Sequence, residues 1–503
     1  MDGQSFQREL VGEAATGRLG EDLAAILAPG DLVFLEGDLG AGKSALARAI
    51  LRALADDAEL DVPSPTFTLV QPYRTRIPVL HVDLYRLGSP DEVQELGIGE
   101  ALADHAILVE WPERAEGLLG EPALTIALSG AGESRMAAIS GQPRAMARLQ
   151  RSLAARDFLD EAGWREAARR HLTGDASARA YETVRLSGRP IRILMNAPRQ
   201  PDGPPIRDGK PYSQIAHLAE SVTPFVAIDR LLRARGFCAP EIEAVDLEAG
   251  FLLIENLGSE TVLDASGAPI AERYVAASQL LAAIHGKSWP REAEAAPGIV
   301  HAIPPYDRSA LAIETELLLD WYLPHVRGTG AEEQERRDFS ETWDGMIDGV
   351  LAGETSLVLR DYHSPNLIWR GDRAGHERIG LIDFQDALIG PSAYDVASLA
   401  QDARVDISPA LEAKIVDAYR QARMTQGGFD PERFSRDYAI MAAQRASKIL
   451  GIFVRLKQRD GKPGYIRHLP RLLAYLSRAL AHPDLAPLAA CYQRLGILPE
   501  QGS

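Results

Sequence analysis

A chain of 503 residues is longer than one ordinary hydrophobic core accommodates, and at about 150 residues per domain it implies two to four domains. With 46% hydrophobic and 25% charged residues it has the composition of a soluble globular protein, and a formal net charge of −17 excludes a surface given over to direct nucleic-acid binding. Two distant cysteines, Cys238 and Cys491, exclude a disulfide framework or zinc site, and without a leader or an apolar run of about 18 residues the expectation is a cytoplasmic protein with no membrane contact.

Residues 13–27 space their apolar side chains like an amphipathic helix, which Pro29-Gly30 stops. A buried strand at 31–37 (DLVFLEG) then runs into GDLGAGKS, and a helix follows over 45–55. This is G-x-x-x-x-G-K-[ST] with strand before and helix after. The backbone N–H groups of Gly37, Asp38, Gly40, Ala41 and Gly42 are placed to curl around ATP phosphates, with Lys43 reaching the β/γ-phosphates and the Ser44 hydroxyl on Mg²⁺. VLHVDLYRL offers Asp83 at a strand end as the second metal-side group, a plain turn residue being the alternative. Between them VPSPTFTL presents Ser64, Thr66 and Thr68 on a proline-stiffened loop, as switch loops do. AILVEWPER ends in Glu110-Trp111, which either orients an attacking water or contacts a partner, a buried Trp beside a surface Glu being the alternative.

Taken in order, GDLGAGKS, SPTFTL, HVDLYRL and VEWPER resemble the bacterial ATPase family TsaE, over about residues 5–135. The resemblance implies slow ATP hydrolysis in support of tRNA threonylcarbamoyladenosine formation, with Lys43, Ser44, Asp83 and Glu110 in the site and Thr66 sensing the γ-phosphate. It also implies two partners, the threonylcarbamoyl-transferase subunit and its regulatory companion, which would contact tRNA themselves. Ser44 stands where the family commonly has Thr; either hydroxyl binds Mg²⁺.

The sequence gathers Gly, Ser and Pro over 129–148 and loses periodicity, so domains are expected at 1–135 and 150–503 with a linker at 136–149. At 172–186, LTGDASARAYETVRL reads as two strands around a polar turn, the arrangement with which kinases cover ATP phosphates; Ser177 and Arg179 are its candidate contacts. The following strand, RILMN, has Met195 where a phosphate-binding Lys is expected, leaving Arg179 or Arg192 as substitutes. FLLIENLG reads as a hinge whose backbone from Glu255 to Leu257 would pair with adenine. Helices are expected over 272–285, 310–323 and 338–351; Glu314, Glu316, Asp320, Trp321 and Tyr322 form either a sugar-binding face or a core aromatic beside solvated acids.

The stretch 356–387, SLVLRDYHSPNLIWRGDRAGHERIGLIDFQDA, carries the second chemistry. Two apolar strands end in Asp361 and Asp383, and Asn366 follows Asp361 at kinase spacing. Phosphoryl transfer needs one carboxylate to orient the attacking hydroxyl, here Asp361, and an amide and carboxylate, Asn366 and Asp383, to hold Mg²⁺. Asp395 is placed to brace the catalytic loop, and the basic segment 455–471 either meets an anionic substrate or is solvated.

LRDYHSPNLIW, IDFQDALIGPSAYDVASLAQDAR and GIFVRLKQRDGKPGYIRHLPR resemble the aminoglycoside-phosphotransferase superfamily, and within it the anomeric amino-sugar kinases (AmgK) of peptidoglycan recycling. Leu359 occupies the place of the superfamily's usual His, which weakens the antibiotic-kinase reading. The expected architecture is an α/β P-loop NTPase domain followed by an α+β, two-lobed protein-kinase-like domain, using ATP, Mg²⁺ and an amino sugar. An antibiotic or other small-molecule kinase, and a nucleotide-binding module without catalysis, are the alternatives for the second domain.

Overall fold

The computed structural model describes residues 5–130, 132, 134–172 and 179–498, divided into two compact units. The first comprises Met1–Asn196 with Glu243–Asp246 and Phe251–Ile254. Its principal sheet contains β1 (Ser5–Val11), β2 (Leu32–Glu36), β3 (Val70–Arg74), β4 (Pro78–Asp83), β5 (Ala106–Glu110), β6 (Leu124–Ser129) and β7 (Ser134–Gly141) in the order β1-β7-β6-β2-β5-β4-β3. The central pairs β6-β2, β2-β5 and β5-β4 are parallel, and the outer pairs are antiparallel.

Alternation along the strands assigns each side chain to one face. Val33, Leu35 and Leu108 join Leu19, Leu23, Leu46 and Ile50 from helices α1 (Gly12–Ile26) and α2 (Lys43–Ala55). Leu32, Ile107 and Val109 face the opposite core with Val82 and Val93. The carboxyl ends of the parallel strands are thereby the rim on which the P-loop, Asp83 and Glu110 stand.

The expected linker at 136–149 is not one. Residues 134–141 are β7, paired with both β1 and β6, and the chain then enters helix α3 (Pro143–Glu161). Its small residues fit because the sheet packs closely there: a Cβ on Gly141 would lie 2.3 Å from the Ala123 carbonyl oxygen. A second sheet in the same unit contains β8 (Ala168–Leu172), β9 (Ala180–Arg185), β10 (Arg192–Asn196), β11 (Ile242–Asp246) and β12 (Phe251–Glu255), ordered β11-β12-β10-β9-β8.

The other unit is mainly helical, with four short strand pairs among its described residues, two of which flank the catalytic stretch. Its helices include α4 (Thr223–Ala234), α5 (Ala271–His285), α6 (Arg308–Leu317) and α7 (Glu333–Leu351). Strands β13 (Thr355–Val358) and β16 (Leu388–Pro391) pair, as do β14 (Leu367–Trp369) and β15 (Ile379–Leu381). Helices α8 (Ala393–Ala400), α9 (Pro409–Met424), α10 (Pro431–Gln458) and α11 (Leu469–Leu480) follow. The single helix expected at 310–323 is α6 followed by a π-helical turn, Leu318–Tyr322. There α10 crosses so closely that a Cβ on Gly451 would lie 2.2 Å from the Leu317 carbonyl oxygen. Among the described residues no helix is long and apolar enough to cross a membrane.

Candidate active sites

The first site forms where β2 gives way to α2. Gly37 has φ +132°, and a Cβ there would meet the Leu128 carbonyl at 2.2 Å, so only glycine lets the loop turn between β2 and β6. Gly40 and Gly42 are also left-handed. Lys43 begins α2 and folds back over the loop: its Nζ donates to the Gly37 and Asp38 carbonyls at 2.5 and 3.0 Å and stands 3.5 Å from the Trp111 ring centroid. Burial pulls its pKa down, against the pull of Glu110, Glu113 and Asp83.

Register does the rest. Asp83 and Glu110 are direct partners across β4 and β5, so two strand-end carboxylates stand side by side. Ser44 donates its hydroxyl to Glu110 Oε2 at 2.8 Å, while Glu110 Oε1 is 2.8 Å from the buried His81 Nε2. Asp83 Oδ2 accepts the Ser64 and Thr66 hydroxyls at 2.9 and 2.6 Å, and Oδ1 accepts the Tyr85 N–H at 3.0 Å. The Ser44 hydroxyl and the Asp83 carboxylate make an all-oxygen donor pair that fits Mg²⁺, which prefers few protein ligands plus phosphate and water. Among the described residues no group of three or more His, Cys, Asp or Glu side chains that could hold a metal is found.

The second constellation lies between β13 and β15. Leu359 and Arg360 donate their backbone N–H groups to the buried Asp395 carboxylate at 2.6 and 2.9 Å, and Arg360 adopts φ +69°. Ser364 N–H is held in the same way by buried Asp402 at 2.8 Å. Asn366 Nδ2 donates to the Asp361 carbonyl at 2.9 Å and lies 3.4 Å from Asp383 Oδ2. Gln385 Nε2 donates to Asp383 Oδ1 at 2.9 Å, and Phe384 stacks on Phe225 of α4 with centroids 4.7 Å apart. Asp383 itself has φ +60°. The loop after β13 and the turn after β15 thus bring the Asn366 amide against Asp383, with the half-buried Asp361 tied to the same amide through its carbonyl; Asn366 and Asp383 offer oxygen ligands suited to Mg²⁺.

Residues 10–137 match the family described as threonylcarbamoyl adenosine biosynthesis protein TsaE, and residues 172–435 the phosphotransferase enzyme family. An N-acetylmuramate/N-acetylglucosamine kinase of Caulobacter vibrioides is 35% identical over 356 residues, 69% of this chain and 96% of that protein. One from Pseudomonas putida is 33% identical, covering 66% and 90%. The tRNA threonylcarbamoyladenosine biosynthesis protein TsaE of Rickettsia felis is 42% identical over 124 residues, 24% of this chain and 72% of that protein. The chain belongs to both families. It is an enzyme with an ATP-hydrolase TsaE half and a phosphotransferase half.

In the TsaE half, the P-loop, Ser44, Thr66, Asp83 and Glu110 all converge, with Thr66 on Asp83 and Glu110 on Ser44. His81 joins them unforeseen; its signal was its place two residues before Asp83 on a buried strand. In the phosphotransferase half the Asn366 amide meets the Asp361 carbonyl and Asp383, and Asp395 holds the backbone just before Asp361. Ser177 lies outside the described residues, and Arg179 stands just before β9. Met195 is buried within β10, and Arg192 is committed to Glu243 at 2.6 Å, which removes it as a substitute cation.

The hinge expectation changes in detail. The Glu255 N–H is spent on the Glu241 carbonyl at 2.8 Å, so an adenine contact from Glu255 has to come from its carbonyl; Leu257 is buried. Glu314 and Tyr322 are buried rather than displayed, so the five residues do not make a sugar-binding face. Charges of the basic segment are answered locally: Arg459 pairs with Asp460, Arg471 with Asp406, and Arg455 lies over the Tyr212 ring.

Proposed function

We propose that the chain is bifunctional, its first half the ATPase that supports tRNA threonylcarbamoyladenosine formation and its second an ATP-dependent kinase of N-acetylmuramate and N-acetylglucosamine in cell-wall recycling. The observation that carries the kinase reading is the 3.4 Å approach of the Asn366 amide to Asp383 while the same amide anchors the Asp361 carbonyl. Asp361 then orients the reducing-end hydroxyl and accepts its proton as the sugar oxygen bonds the γ-phosphorus and the bridge oxygen leaves with ADP. Asn366 and Asp383 would hold Mg²⁺, which would supply neutralisation of the phosphate charge. Backbone positions fixed by Asp395 and Asp402 reduce the reorganisation that positioning catalysis must avoid.

In the first half the proposed sites are the 37–44 loop for phosphates, Ser44 and Asp83 for Mg²⁺, Glu110 for catalysis and Thr66 for sensing the γ-phosphate. The proposed partners are the threonylcarbamoyl-transferase subunit and its regulatory companion, in the cytoplasm. The test is purified chain with ATP against both amino sugars and an aminoglycoside panel, with the product located by phosphorus NMR. A sugar 1-phosphate supports the reading. Transfer to aminoglycosides alone makes it an antibiotic kinase, and ATP binding without transfer, the outcome Met195 favours, makes the second half a nucleotide-binding module.

A further inference from the structure

Helix α1 of the ATPase and strands β8 and β9 of the second sheet lie in one compact unit, and buried charge joins them. Asp22 of α1 is 0% exposed, Arg156 of α3 1% and Arg169 of β8 4%. Arg156 donates to Asp22 Oδ1 from Nη2 at 2.9 Å and from Nε at 3.2 Å; Arg169 Nη1 reaches the same oxygen at 2.9 Å. Arg169 then grips Glu182 of β9 through two bonds of 2.6 and 2.9 Å. Arg156 also holds the Ala167 carbonyl, immediately before β8, at 2.8 Å. Glu21 completes the cluster, accepting from Arg156 at 3.1 Å and Arg170 at 2.5 Å. Arg8 of β1 faces Asp22 Oδ2 from 3.7 Å.

Neither enzyme's chemistry asks for this cluster. Asp22 falls within the TsaE match and Glu182 within the phosphotransferase match, while Arg156 and Arg169 fall in the stretch that neither covers. Buried arginine forks are directional, and withdrawing Asp22 takes from both Arg156 and Arg169 one of the two carboxylates that each holds. The result is that the roll of β8 and β9 is set against α1 by paired, desolvated bonds, which a contact between freely tethered domains would not do.

We propose that Asp22 is a positioning residue of the phosphotransferase: through Arg169 and Glu182, the first helix of the ATPase fixes the β8–β9 strand pair, which the sequence pattern assigns to the ATP phosphates. This rests on the kinase reading above. Strand β9 pairs in turn with β10, Tyr181 opposite Met195, so displacement of β8 and β9 is carried into the rest of that sheet.

The test is sugar phosphorylation by the full chain carrying Asp22→Asn, with ATP and N-acetylmuramate varied separately. The expected result is a KM for ATP raised at least fivefold with the KM for sugar within twofold. Loss of folded enzyme would instead lower kcat and leave both KM values in place, so the split separates positioning from mere instability. Arg169→Gln should give the same split, and the double variant should be no worse than either, because the two side chains act as one unit. An unchanged KM for ATP in the folded variants overturns the proposal. Should Asp22→Asn not fold, Asp22→Glu, which keeps the charge and shifts it by one methylene, is read by the same criterion: a raised KM for ATP supports the proposal and an unchanged one overturns it. A parent chain inactive on every sugar removes the kinase reading and this inference with it, whereas an active parent with an indifferent variant removes only the role of Asp22.

Discussion

The Glu314 carboxylate is buried against the Arg360 guanidinium, directly behind the loop that presents Asp361. Lys448 reaches Glu314 Oε1 at 2.8 Å, Gln444 donates to Oε2 at 2.9 Å, and Tyr306 donates as well. Arg360 also donates to the Ala216 carbonyl at 2.8 Å. The residue before the proposed base is thus held at both ends, by Asp395 through its backbone and by Glu314 through its side chain.

Glu314→Gln should therefore destabilise this unit strongly. Removing one partner of a buried ionic group costs about 3–5 kcal/mol, because the remaining charges stay desolvated. Urea unfolding followed by circular dichroism reads it. Burial alone would raise the Glu314 pKa, but the Lys448 and Arg360 charges override burial and hold it at about 2. Its folded pKa lies below its unfolded one, so this stability is complete above about pH 4.5 and is lost as pH falls toward 2. Acid unfolding in that window should be blunted in the Gln variant.

His363 gives a separate pH signature at higher pH. Burial pushes its pKa down to about 4; Asp402 opposes and Arg404 reinforces the shift. Arg404 Nη1 stands 2.9 Å from His363 Nε2 as donor, which requires that nitrogen to be unprotonated. The unfolded chain binds a proton below its ordinary pKa of about 6.5 that the folded chain refuses until about 4, so stability rises with pH across that window. One proton corresponds to a slope of about 1.4 kcal/mol per pH unit. His363→Gln should remove that slope between pH 4.5 and 6; an unchanged slope would show that another group carries it.

Local motifs were legible because their geometry is local. The P-loop turn and the spacing of Asp361 and Asn366 are local features of the chain, and the strand ends carrying Asp83, Glu110 and Asp383 are apolar runs closed by one acid. What the sequence concealed depends on distant pairing. Strand β7 is rich in Ala, Ser and Gly and shows no strand pattern until β1 and β6 flank it, which made it look like a linker. Glu314 carried an ambiguous signal because Arg360 and Lys448, which decide its burial, come from the catalytic loop and from α10. The Asp22 cluster is invisible for the same reason.

At the P-loop, Glu110 bonds the Ser44 hydroxyl, and His81 holds its other oxygen. Glu110→Gln keeps the shape and removes the charge, so ATP should still bind while hydrolysis slows. Loss of a catalytic carboxylate costs about 10²–10⁴ in rate. Lys43→Ala should instead abolish hydrolysis and fail to support tRNA threonylcarbamoylation in a reconstituted system. Equal ATP affinity and equal turnover in Glu110→Gln would remove Glu110 from the mechanism.

The two chemistries use different residues, and this separates their failures. Asp361→Asn preserves the loop, because the loop is held by the Asp361 carbonyl, Asp395 and Asp402 rather than by the Asp361 side chain alone. It removes the proton acceptor, and sugar phosphorylation should fall by about 10²–10⁴, equivalent to roughly 3–5 kcal/mol of barrier. The P-loop has its own lysine, hydroxyl and carboxylates, so hydrolysis there should persist in the same variant. Conversely, Lys43→Ala should leave sugar phosphorylation within twofold of the parent, since the described partners of Lys43, the loop carbonyls, Trp111 and the carboxylates beside them, all belong to the first site. The decisive measurement is both activities on both variants, each checked for folding. Two activities lost together in a folded chain would mean one coupled nucleotide machine instead of two sites built on a shared scaffold.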